Sequence, residues 1–232
     1  MGNSAVRGKK YEEAIAKYQR AIELNPKDGD AYVYWGNILY DERRYEEAIV
    51  RYQRAIELDS KNADTYVDWG NALYVEGRYE EAIARYQRAI GLDSKNVSAY
   101  INWGNALCVE REYDEGITKY QRAIELDPKN ALSYSGWGSA LYGDGKYEEA
   151  IAKYQKAIEL DPKNPFAYGA WGQALSGEGK YEEAIAKYQR AIELDPKNAF
   201  AYGSWGLALQ TIGKKSEAAE KLAKEKELEQ SN

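Results

Sequence analysis

Histidine is missing from all 232 residues, and cysteine occurs once, as Cys108. Those two absences exclude Cys/His zinc sites, intrachain disulfides, Ser-His-Asp triads and Cys-His dyads. They fit a reducing, cytoplasmic compartment. No apolar run approaches the ~18 residues of a membrane span, and no basic-then-apolar leader opens the chain, so no membrane insertion is expected. The start "MGNSAVRGKK" also departs from the myristoylation pattern, because Val6 stands where Ser or Thr is needed. Net charge is −6, which argues against nucleic acid as a partner. With 44% hydrophobic and 30% charged residues, the composition is that of a folded chain with a core.

What is present is repetition. The segment "YEEAIAKYQRAIEL" begins at Tyr11 and returns unchanged at Tyr181, and near-copies begin at Tyr45, Tyr79, Tyr113 and Tyr147. Trp35, Trp69, Trp103, Trp137, Trp171 and Trp205 keep the same period. Each unit contains two apolar patterns of helical spacing, one through Ala31, Tyr32, Trp35, Gly36 and Leu39, the other through Tyr45, Ala48, Ile49, Tyr52, Ala55 and Ile56. Links such as "VEGR" and "GEGK" separate the two helices, and "LDPKN" or "LDSKN" separates one hairpin from the next. Pro26, Pro128, Pro162 and Pro196 stop the outgoing helix, and Asn62, Asn96, Asn130, Asn164 and Asn198 stand at N-cap positions.

Tyr66, Trp69, Gly70, Leu73, Ala82, Tyr86, Ala89 and Ser94 follow the pattern of the tetratricopeptide repeat, and the chain resembles that family from Met1 to about Glu229. The departures are systematic: Tyr replaces the first Trp, Trp the first Leu, and Ser60 and Ser94 replace Pro. The resemblance implies an all-α, right-handed superhelical solenoid of antiparallel helix hairpins, in which each copy covers its neighbour and the first helices line a concave face. The expected divisions are a partial repeat over 1–28 and repeats over 29–62, 63–96, 97–130, 131–164, 165–198 and 199–232, the last closed by a charged capping helix. In that cap, Ala219, Leu222 and Ala223 are expected to form the covered face. At the other end, Gly2 and Asn3 align with the Gly-Asn of "WGN", so the first hairpin is expected to be a fragment.

Catalysis is not expected. Paired carboxylates such as Glu46–Glu47 open the second helices, where the helix dipole favours them. They are also expected to form i,i+4 pairs such as Glu47–Arg51, Glu81–Arg85 and Glu149–Lys153. "GDGKY" and "GEGKY" lack the spacing of a phosphate-binding loop and follow no strand. Cys108 has no histidine to activate it. No cofactor or metal is expected.

Binding residues are sought where the repeats differ. Eighteen of the 22 tyrosines fall on framework positions, leaving Tyr34, Tyr40, Tyr74 and Tyr142. The last three share one position with Cys108, and the resemblance places it on the concave side. Neighbouring positions carry Val33, Val67 and Ile101, then Asn37, Asn71 and Asn105, and Phe166 and Phe200 lie at the rim of the second half. An amide ladder can pair with the backbone of an extended peptide whatever its sequence, while apolar neighbours take its side chains. The function expected is therefore a non-catalytic scaffold that holds a peptide segment of another protein. Val33, Ile101 and Asn105 occupy the basic positions of the family's carboxylate clamp, so chaperone-tail binding is not expected. A lysine ladder from Lys27 to Lys197 follows the second helices. Alternatives are self-assembly into a homo-oligomer through the repeat ends, or a regulatory region of a larger enzyme.

Overall fold

The computed structural model describes the backbone of residues 2–230 and the side chains of residues 10–230. The described residues form thirteen helices: α1 (Gly2–Leu24), α2 (Gly29–Asp41), α3 (Tyr45–Leu58), α4 (Ala63–Val75), α5 (Tyr79–Leu92), α6 (Val97–Val109), α7 (Tyr113–Leu126), α8 (Ala131–Gly143), α9 (Tyr147–Leu160), α10 (Pro165–Gly177), α11 (Tyr181–Leu194), α12 (Ala199–Thr211) and α13 (Lys215–Gln230). They divide into two compact units, Met1–Glu110 and Arg111–Asn232. Within each unit every helix packs on the next in sequence. None is long and apolar enough to cross a membrane.

Helix boundaries follow from local chemistry. The side chains of Asn62, Asn96, Asn130, Asn164 and Asn198 each accept a hydrogen bond from the backbone N–H three residues on, at 2.9–3.1 Å. Each thereby satisfies one of the N–H groups a helix start leaves unpaired. First helices stop in a Schellman arrangement, in which the N–H of Arg78, for example, donates to the Leu73 carbonyl at 2.9 Å. The turn requires a left-handed residue, and Gly77, Gly145, Gly179 and Gly213 supply it with φ of 76–84°. Arg43 and Arg111 take the same role at φ 62° and 64°. Between hairpins the backbone N–H groups of Lys61, Lys95, Lys129, Lys163 and Lys197 donate to the aspartate two residues earlier, leaving the lysine side chains in solvent.

The core rests on one contact repeated along the chain. Tyr52, Tyr86, Tyr120, Tyr154 and Tyr188 are each 1% exposed, because their rings lie directly on a first helix. A Cβ on Gly36 would stand 2.6 Å from a Tyr52 ring carbon, and one on Gly138 would stand 2.7 Å from Tyr154. The glycines at Gly36, Gly70, Gly138 and Gly172, each following a tryptophan, therefore exist to admit a ring. Above the preceding tryptophan lies a cation. The Arg51 guanidinium stands 3.8 Å from the Trp35 ring centre, Arg85 3.9 Å from Trp69, Lys153 3.6 Å from Trp137, and Lys187 3.8 Å from Trp171.

Three expectations are corrected. The i,i+4 ion pairs do not form at Glu47–Arg51, Glu81–Arg85 or Glu149–Lys153, because those cations lie on the tryptophans. Glu47 and Glu81 pair instead with Arg44 and Arg78, at 2.7 Å. The N-terminal segment is one continuous helix through Leu24 rather than a partial hairpin. Lys9 stands there in the place that Gly77 takes in its turn. In α13 the covered residues are Ala218 and Leu228, with Leu222 half-buried, while Ala219 and Ala223 face solvent. The 34-residue period itself marks this face, since Ala218 and Leu222 follow Ala184 and Tyr188.

Candidate functional site

In the first unit, α2, α4 and α6 carry the residues that differ between repeats. Asn37 and Asn71 each turn the side-chain oxygen toward the framework tyrosine of the following helix. The Tyr52 hydroxyl donates to Asn37 Oδ1 at 2.8 Å, and the Tyr86 hydroxyl to Asn71 Oδ1 at 3.0 Å. Asn102 Nδ2 donates to the same Asn71 oxygen at 2.8 Å. A buried phenol needs such an acceptor, and where the asparagine is replaced another group supplies it. In the second unit, Tyr154 donates to Ser139 Oγ at 3.2 Å, and Tyr188 pairs with Ser176 Oγ at 3.1 Å. The asparagine oxygens thus have structural work, and the amide N–H groups of Asn37 and Asn71 have no intramolecular partner among the described residues.

The tyrosines at the ends of the first helices are half-buried, each set edge-on or tilted against the tyrosine that opens the next helix. Ring centres are 5.2 Å apart for Tyr40–Tyr45, 5.3 Å for Tyr74–Tyr79 and 5.5 Å for Tyr142–Tyr147. Burial and the neighbouring ring push the hydroxyls of Tyr74 and Tyr142 above their ordinary pKa, and the Cys108 thiol adds to the effect at Tyr74. These phenols stay neutral and can donate.

Two adjoining concavities lie along this face. One, about 260 Å³, is lined by Asn37, Tyr40, Asp41, Tyr52, Asp68 and Asn71. The other, about 290 Å³, is lined by Tyr40, Asn71, Tyr74, Val75, Tyr86, Asn102 and Asn105. They share Tyr40 and Asn71. Of the residues singled out in the sequence, Asn37, Tyr40, Asn71, Tyr74 and Asn105 come together here. Val67 and Ile101 do not join them, because at 6% and 8% exposure they are core residues, and Val33 is half-buried. Cys108 is half-buried at the end of α6. In the second unit, Tyr142 packs on Tyr147, while Leu132, Phe166 and Phe200 stand out at the helix starts with 60%, 59% and 46% exposure. Phe200 lies over Gly169, where an added Cβ would meet it at 3.3 Å. The Asn3 side chain falls outside the described residues.

Asp41, Asp68 and Asn102 were not reached by sequence reasoning. The last two share a repeat position with Tyr34, followed by Gly136, Ala170 and Ser204. That position changes from polar or large residues to small ones along the chain, and this gradient was the available signal. Burial, with a smaller contribution from Asp64, raises the Asp68 carboxyl to about 6. Among the described residues, no group of three or more His, Cys, Asp or Glu side chains is placed to hold a metal ion.

A sequence model of the TPR repeat matches residues 2–35, 36–74, 70–109, 104–145, 138–177 and 172–213. No curated protein matches the chain in sequence. Among solved structures, YrrB, described as a TPR protein with an unusual peptide-binding site, is 27% identical over 79% of this chain and 95% of its own, with a TM-score of 0.58. A tetratricopeptide repeat protein from Parabacteroides merdae is 17% identical, covers 97% of this chain and 90% of its own, and superposes with a TM-score of 0.81. The Cut9–Hcn1 hetero-tetramer structure of the APC/C contains a chain 14% identical to this one, covering 97% of this chain and 45% of that one, with a TM-score of 0.83.

Proposed function

This chain belongs to the tetratricopeptide-repeat family, and from that premise we propose that it binds an extended peptide segment of another protein along α2, α4 and α6, without catalysing a reaction on it. The observation that carries the reading is the pair of adjoining concavities that share Tyr40 and Asn71. Each has room for about one side chain; Asn71 lines both and Asn37 lines the smaller, and their amide N–H groups have no partner among the described residues. Those donors suit the carbonyls of an extended backbone, and the half-buried rings of Tyr40 and Tyr74 offer amphipathic surface at little entropic cost. YrrB supports the reading by its described peptide-binding site and its similarity in sequence.

The test is selection of displayed dodecapeptides on the wild-type protein, followed by fluorescence anisotropy of the selected peptides against wild type and Tyr40→Ala/Tyr74→Ala. Circular dichroism establishes that the variant folds. A loss of affinity of about tenfold or more is expected, given two aromatic contacts. Equal affinity for the variant overturns the reading.

Exposed Leu132, Phe166 and Phe200 favour a second reading, in which copies of this chain associate through that face. Sedimentation across a concentration series, with Phe166→Ser as comparison, decides it. A monomer at every concentration refutes self-association.

A further inference from the structure

The smaller concavity contains a charge that the fold leaves unmatched. Asp68 reaches it from the middle of α4, half-buried, and exposed Asp41 stands at its edge at the end of α2. Neither carboxylate has a hydrogen bond or an ion pair among the described residues. Several exposed glutamates, by contrast, are paired. Glu47, Glu57, Glu81, Glu125 and Glu193 each hold an arginine at 2.6–2.7 Å. The nearest charged influence on Asp68 is Asp64, another acid. The fields of Asp41 and Asp68 both fall on the hydroxyls of Tyr40 and Tyr52 and raise their pKa values, behind the larger effects of burial and, at Tyr40, of Tyr45. The remaining wall consists of neutral groups suited to a planar cation: the Tyr40 ring, Tyr52, and the side chains of Asn37 and Asn71.

We propose that this concavity between α2, α3 and α4 is a pocket for the cationic side chain of a lysine or arginine in the bound peptide, with Asp68 as its counter-ion, Asp41 at its mouth and the Tyr40 ring beside it. The proposal deepens the peptide-binding reading and rests on it for the source of the cation. Its chemistry is charge complementarity. A carboxylate held in a partly dry site, with no partner of its own, gains more from an incoming cation than a solvated one does. The pocket is single because it needs acids at two different repeat positions. The next pocket along has Val75 and Asn102 where this one has Asp41 and Asp68, and it would accept an uncharged side chain.

The experiment uses the full chain and two probes, N-acetyl-arginine methylamide and its neutral isostere N-acetyl-citrulline methylamide, each titrated at pH 7.5 and followed by two-dimensional NMR. The arginine compound is expected to shift the side-chain amide signals of Asn37 and Asn71 and to bind about tenfold more tightly than the citrulline compound, as one charge-assisted contact allows. Asp68→Asn is expected to make the two probes equal. Since the Asp68 carboxyl sits near 6, below which it takes up a proton, the preference is also expected to shrink at pH 4.5. Equal binding of the two probes, shifts located elsewhere, or a preference that survives Asp68→Asn would each overturn the pocket. Displayed peptides that still need Tyr40 and Tyr74 would then leave the groove reading standing. Conversely, an arginine-selective pocket in a protein whose peptides ignore both tyrosines would keep the pocket and refute the groove.

Discussion

At the scale of single residues, the chain balances groups that must be satisfied against groups left unsatisfied. Asn71 belongs to the first kind, since its oxygen is the acceptor for both the Tyr86 hydroxyl and Asn102. Replacing Asn71 with Ala strands a buried phenol and should cost about 1–3 kcal/mol in chemical denaturation. Asp68 is of the second kind. The rise from the ordinary 3.8 to about 6 corresponds to at most about 3 kcal/mol, reduced to roughly 1–2 kcal/mol by solvent reaching the half-buried carboxylate. The folded protein binds this proton more tightly than the unfolded chain. The penalty is therefore fully present above pH 6 and disappears as pH falls toward 4. Asp68→Asn should accordingly stabilise the protein at pH 7.5 and do little at pH 4, read from urea midpoints at the two pH values. A midpoint unchanged at pH 7.5 would show that the carboxylate carries no burial penalty. The asparagine column was legible in the sequence because it repeats. Asp68 was not, because a single acid at a variable position looks like surface until the neighbouring helices enclose it.

At the scale of the element, hairpin geometry is set by a glycine and a turn. Gly138→Ala places a methyl group against the Tyr154 ring, and such overpacking typically costs about 1–3 kcal/mol. The denaturation midpoint of that variant should fall without loss of helical circular dichroism at low denaturant. Arg43 offers the opposite case. It holds a φ of 62° where four of the equivalent residues are glycines, and left-handed backbone costs a side-chain-bearing residue roughly 1–2 kcal/mol. Arg43→Gly should raise stability by up to about 1 kcal/mol once the glycine's greater unfolded-state freedom is subtracted. The helical hairpin pattern and the asparagine caps were readable from period and punctuation, whereas the continuous first helix was not. The destinations of Arg51 and Lys153 were not. Sequence spacing puts Glu47 within reach of Arg51, but only packing shows that a tryptophan face lies nearer. Val67 and Ile101 were misjudged for a similar reason, since a groove position and a core position differ by a small rotation of the helix.

At the scale of the whole molecule, each helix within a unit supplies the surface on which the next one packs, and the last surface of the second unit is closed by α13. Leu222 fills the place over Gly206 that tyrosines fill in earlier repeats, and Ala218 and Leu228 are buried with it. Ending the chain after Lys214 removes that cover, along with the Lys221 cation 4.6 Å from the Trp205 ring. The truncated protein should melt roughly 5–10 °C lower, the effect of losing about 3 kcal/mol of apolar burial in a chain of this length. Light scattering should show it associating through the bared face of α12. An unchanged melting temperature would mean that α13 is a decoration and not a lid.

The repeated tyrosine-on-glycine contact lies inside each hairpin, so a module carries both halves of it. Excising one 34-residue block, such as residues 165–198, removes Gly172 together with its own ring Tyr188 and leaves Gly138 on Tyr154, so the shortened product can close. The acidic pocket does not share this freedom. It draws Asp41 from one module and Asp68 from the next, and a module spliced between them would leave two half-sites with nothing to hold. The scaffold can change in length and survive, whereas its recognition depends on which modules are neighbours.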